Sequence, residues 1–141
     1  MHYFCDGPRD LTWFRLISET EAVEESRLMN HAVEKYYRRE QDKAAAAYKP
    51  LTSVFIEQDI GKADHILRSM PLFLTLRDQE GMALATAMLP AAGQEPGSFR
   101  CIIVGPGNAD PYDHFADAIR ALSEHVGIRL DRAHCYPYRR D

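Results

Sequence analysis

The chain has 141 residues, a formal net charge of -4, 45% hydrophobic and 27% charged residues. That length suits a single domain with its own core, and the composition is that of a globular rather than a disordered chain. The acidic balance speaks against nucleic acid as a partner, and no stretch reaches the ~18 apolar residues of a membrane span.

In chain order, residues 11–18 are aromatic and branched and predict a strand. Ser18 followed by Glu21 forms a capping-box signature, with Glu19, Glu21, Glu24 and Glu25 crowding the first turns that follow. A stripe of Ala22, Met29, Ala32, Val33, Tyr36, Ala44 and Ala47, interrupted by Glu40, predicts one long helix over 19–48, stopped by Pro50. Residues 51–58 read as a strand and 61–69 as a short helix. Alternating apolar positions on either side of Asp78-Gln79-Glu80-Gly81 predict a hairpin over 71–90. A Gly/Pro-rich loop over 90–98 leads to a buried strand over 99–104. After the turn Gly105-Pro106-Gly107-Asn108, Asp110 and Pro111 open a helix that Gly127 ends. Residues 128–136 alternate and predict a last strand.

The expected fold is therefore α+β, one domain over 1–141. It has a mixed, largely antiparallel sheet of about 5–6 strands. One long N-terminal helix and a second helix near the C-terminus pack mainly on one face. The final strand-helix-strand unit is a candidate parallel crossover. Residues 1–10 and 137–141 are expected to be flexible.

The cysteines, Cys5, Cys101 and Cys135, are odd in number and widely spaced. Reduced thiols and a cytoplasmic location are the simplest expectation, and the N-terminal residues lack the pattern of a signal peptide. Asp110, Asp113, His114 and Asp117 share a face of the last helix, but it lies opposite the apolar face, so the reading favours solvated charges over a metal site. The turn Gly105, Gly107 and Asn108 sits between a strand and a helix N-terminus, where anions can bind. It lacks a phosphate-loop motif, and Asp110 places a carboxylate there. A nucleophilic Cys101 partnered by His65 is weighed against an inert packing thiol, and the apolar context favours the latter. No catalytic residue, metal or cofactor is assigned.

Tyr36, Tyr37, Arg38 and Arg39 combine residue types enriched at protein interfaces. A helix over 19–48 would extend about 45 Å, against a globule about 37 Å across, so it should overhang and meet a partner. Residues 72–85, an apolar strand, an Asp-x-x-Gly turn and a second strand, resemble the early hairpin of PAS-type and GAF-type sensory domains. The resemblance covers fourteen residues and implies a ligand-sensing or regulatory module. The combined expectation is a non-catalytic binding or regulatory protein, a homodimer through the long helix or a small inhibitor or immunity-type protein. The alternative is a small enzyme or ligand-binding domain with its site near Gly105–Asp110.

Overall fold

The computed structural model describes residues 1–48, 56–94 and 96–139. One five-stranded antiparallel sheet forms the frame, with strands in the order β1-β2-β3-β4-β5. The strands are β1 (His2–Asp6), β2 (Thr12–Arg15), β3 (Leu72–Arg77), β4 (Ala83–Leu89) and β5 (Ile102–Val104). Three helices, α1 (Glu19–Met29), α2 (Val33–Ala47) and α3 (Ile56–Ser69), lie in the chain between the sheet neighbours β2 and β3; α4 (Tyr112–Val126) follows β5. The class is α+β, and the β3–β4 hairpin forms where the alternation placed it. Strand β1 was not among the expected elements; it pairs with β2 with a register shift between Tyr3 and Cys5.

The long helix is the main correction. Ser18 caps α1 as expected: its hydroxyl accepts from the Glu21 amide at 3.2 Å, and the Glu21 carboxylate accepts from the Ile17 amide at 2.8 Å. The helix then ends at Asn30, which adopts the left-handed conformation (φ 52°, ψ 55°) that Asn tolerates better than most residues. The amides of Asn30 and His31 both donate to the Ser26 carbonyl. The Ser26 hydroxyl in turn accepts from the Glu34 amide at 3.0 Å, so one buried serine serves the end of α1 and the start of α2. The two helices are about 16 and 22 Å long at 1.5 Å per residue. Neither overhangs the domain, and the length argument for self-association loses its premise.

Helices also cover both faces of the sheet rather than mainly one. Strand β3 is buried along its whole length. On one face Leu72, Leu74, Leu76, Ala85, Ala87 and Leu89 join Trp13, Ile103 and the α4 residues Ala118, Ile119 and Leu122. On the other, Phe73 and Met88 pack with Leu16, Ala22 and Tyr37 beneath α1 and α2. A two-sided apolar strand needs a lid on each side, and the alternating Leu/Phe and Ala/Met of β3 and β4 is the sequence record of that demand.

Toward the C-terminus, Pro111 stands at the N-cap of α4, one residue beyond the expected Asp110, whose carboxylate accepts from the Tyr112 amide at 2.7 Å just ahead of the helix; Gly127 closes it with φ 71°. Residues 128–136 do not form the predicted strand. They run as turns with a single parallel bridge, Ile102 to Tyr136, so the anticipated crossover is reduced to one ladder step. Of the strand predicted over 51–58, residues 51–55 and the stop at Pro50 lie outside the described residues, while 56–58 open α3.

Candidate functional site

The break between α1 and α2 shapes the most distinctive site. It sets His31 against β4, where its Nε2 lies 2.9 Å from the Thr86 hydroxyl. That hydroxyl donates to Glu25 Oε2 at 2.6 Å, so its lone pair faces His31 and the imidazole carries its proton on Nε2. The other imidazole nitrogen, Nδ1, accepts the Val33 amide at 3.4 Å. Glu25 is fully buried, and its Oε1 accepts from Arg77 Nη2 at 2.7 Å. Arg77 also donates from Nε to Thr75 Oγ1 (2.9 Å) and from Nη1 to the Gly81 carbonyl (3.1 Å). A buried carboxylate thus has a cationic partner and a hydroxyl partner, which is the arrangement such a group needs to stay inside a core.

Beside this chain lies a cavity of about 160 Å³. Phe73, Met88, Ile102, Val104 and Tyr36 form its apolar walls, while His31, Thr86 and Asn108 supply polar atoms at its margin. Burial lowers the His31 pKa from its ordinary 6.5, with the nearby Glu25 carboxylate opposing that shift. The imidazole is therefore neutral at pH 7. Both ring nitrogens are engaged, so His31 anchors the helix break and has no nitrogen left over for proton transfer from a ligand.

The sign of the His31 shift makes a prediction. A histidine whose folded pKa lies below its unfolded value disfavours the native state as pH falls below about 6.5 toward the folded value. Stability should decline on acidification through that window, before the carboxylates titrate. His31→Gln should flatten this portion of the profile in urea unfolding followed between pH 7 and 5. A slope unchanged by the substitution would refute the assignment.

The residues singled out from the sequence are distributed as follows. Asn108 borders the cavity with φ 63°. Gly107, at φ 64°, faces Asn30, whose Nδ2 lies 3.9 Å from where a Cβ would stand. Gly105 closes the turn by donating to the Ala109 carbonyl at 2.7 Å and accepting from Asn108. The turn therefore consumes the Gly105 and Asn108 amides internally, and Asp110 is held by Arg132 at 2.8 Å. Tyr36 is 38% exposed at the cavity mouth, with Arg39 stacked on its ring 4.9 Å away. Tyr37 is a core residue, 2% exposed and packed on Phe73 at 5.0 Å, so it is not available to a surface. The helix break resets the phase: a continuous helix from Ala22 would aim Tyr36 inward, whereas α2 turns Tyr37 inward instead. Arg38 is paired with Glu19 at 2.8 Å.

The acidic face of α4 is used in loop tethering. Arg132 bonds Asp110 and Asp113, each at 2.8 Å, and Arg9 bonds Asp117 at 2.7 Å. Among the described residues, no group of three or more His, Cys, Asp or Glu side chains is placed to hold a metal ion. Cys101 is buried on the α4 side of the sheet, away from Gly107, and His134 pairs with Asp131. Among the described residues, no helix is long and apolar enough to cross a membrane.

The Glu25–Thr86–His31 chain is not legible in the sequence, where Glu25 reads as one of four acids that suit the dipole in the first turns of a helix. A signal existed: Glu25 stands three residues after Ala22 and four before Met29, on the stripe that was read as apolar. No protein-family model, curated protein or solved structure matches the chain.

Proposed function

We propose that this chain is a non-catalytic binding domain for a small, largely apolar molecule, held in the cavity between the α1–α2 break and strands β3, β4 and β5. The observation that carries this reading is the cavity itself: an apolar slot next to a fully satisfied buried polar chain. Buried polar groups beside an apolar pocket fix orientation and restrict what fits. A space of roughly 150 Å³ matches a single benzene-sized ring. The ligand class is accordingly one six-membered ring or a short branched alkyl group, with at most one polar substituent directed at the Asn108 margin. The absence of a free ring nitrogen on His31 favours binding over turnover. This reading keeps the location near the Gly105–Asp110 turn and moves the contact from the turn's backbone to the side chain of Asn108.

Toluene and phenol are suitable probes for an amide-resolved NMR titration at millimolar concentration. Shifts should concentrate at His31, Thr86, Met88 and Val104, and Val104→Trp should abolish them by filling the slot without disturbing the α4 side of the sheet. Shifts scattered over the surface, or identical in the Val104→Trp protein, would count against the proposal.

A further inference from the structure

Cys101 immediately precedes β5, and Cys135 lies one residue before the bridge that joins the C-terminal segment to that strand. The bridge is a parallel pair in which the Tyr136 amide donates to the Cys101 carbonyl at 2.8 Å and the Ile103 amide donates to the Tyr136 carbonyl at 3.2 Å. Neighbouring strands run about 4.8 Å apart. Stepping back one residue on each side of the Ile102–Tyr136 pair brings Cys101 opposite Cys135 at close to that spacing. Disulfides span Cα separations of roughly 4.4–6.8 Å. Both side chains are buried in the same cluster on the α4 side of the sheet. Cys5 is on β1, at the far edge of the five-stranded sheet, about 19 Å away by four interstrand spacings.

We infer that Cys101 and Cys135 are a paired oxidation site, joined by a small disulfide oxidant into an intramolecular bond that fastens the C-terminal segment to the β5 edge. The chemistry is two successive exchanges. The Cys101 thiolate attacks one sulfur of oxidised glutathione, forming a mixed disulfide and releasing one glutathione thiol. Cys135 then attacks the Cys101 sulfur and expels the second glutathione thiol. Two protein thiols are oxidised and one glutathione disulfide is reduced, with both protons carried off on the two glutathione thiols. Burial raises the pKa of both thiols and the Arg139 charge opposes that rise at each, but the rise is the larger at Cys135, so Cys101 is the entry point. Burial pushes the Cys135 thiol up to about 11, so Cys135 reacts second, once the mixed disulfide is held beside it. Since both thiols are covered in the closed state, the rate is set by lifting of the segment that the bridge secures. This site is on the opposite face of the sheet from the ligand cavity and does not depend on it.

The test is incubation of the full chain with oxidised glutathione, in buffer and in urea below the unfolding midpoint, followed by alkylation and mass spectrometry. The protein should lose two hydrogen masses without retaining glutathione. Trypsin should release residues 101–120 linked to 133–139, and Cys5 should remain alkylated. The oxidised protein should melt on the order of 10 °C higher than the reduced one. In Cys135→Ser the glutathione adduct should persist on Cys101. A persistent adduct in the unaltered chain, a bond to Cys5 or to a second copy, or thiols still fully alkylated after prolonged incubation in urea would each overturn the inference.

Discussion

Arg77→Met should destabilise the fold by about 3–5 kcal/mol, because it leaves the Glu25 carboxylate buried without its cation. Glu25 has no water to turn to, being fully buried on the inward face of α1. The remaining Thr86 hydroxyl is a neutral donor and stabilises a buried anion far less than a guanidinium does. The same substitution frees the Thr75 hydroxyl and the Gly81 carbonyl, which Arg77 also bonds. Glu25→Leu combined with Arg77→Met removes both charges, and much of the loss should return. Urea denaturation of the two single variants and the double variant should give a coupling energy on the order of 2 kcal/mol. A cost below about 1 kcal/mol for Arg77→Met would mean that solvent reaches Glu25 easily, contrary to the burial described.

Trp13→Ala is the second large effect, with an expected cost of about 3–5 kcal/mol. Trp13 is completely buried in the cluster between the sheet and α4. Its indole N–H donates to the Ala118 carbonyl at 2.9 Å, just past Phe115, where the helix departs from regular geometry (φ -127°, ψ 22°). The ring therefore fills volume and fixes where the kinked helix sits. Trp13→Phe retains most of the apolar area and loses the hydrogen bond, so its penalty should be smaller, about 1 kcal/mol from the bond with a further contribution from lost volume. Near-equal midpoints for the two variants in chemical denaturation would show that the bond, rather than the volume, dominates.

The parts of the fold legible from sequence are those in which local chemistry and tertiary demand agree. The β3–β4 hairpin combines strict alternation with a Gly81 whose φ of 82° the turn requires. Gly127 marks the end of α4, and Asp110 its start to within one residue, because helix ends are decided within a few residues. The helix break at Asn30 was less legible, because its stop signal is one Asn within an otherwise helical pattern, and its satisfaction comes from Ser26 accepting the Glu34 amide eight residues away. The expected strand over 128–136 failed for another reason. Alternation is necessary for a strand but supplies no partner, and among the described residues only the Ile102–Tyr136 step finds one. The cavity could not be read at all: its walls come from α2, β3, β4, β5 and the following turn, and only the fold brings them together.

The insertion of α1, α2 and α3 between β2 and β3 has a consequence for how the molecule can change. Strands β2 and β3 are antiparallel neighbours, a relation that a short turn would satisfy. Closing a long excursion instead of a short one costs only about 0.6 kcal/mol for each doubling of its length, in the ideal-chain limit. The meander and α4 thus form a chassis, and the segment that carries Glu25, His31 and Tyr36 is cargo mounted on it. Alterations to that cargo can reshape the cavity while leaving the α4-side core, which holds Trp13, to keep the chassis together.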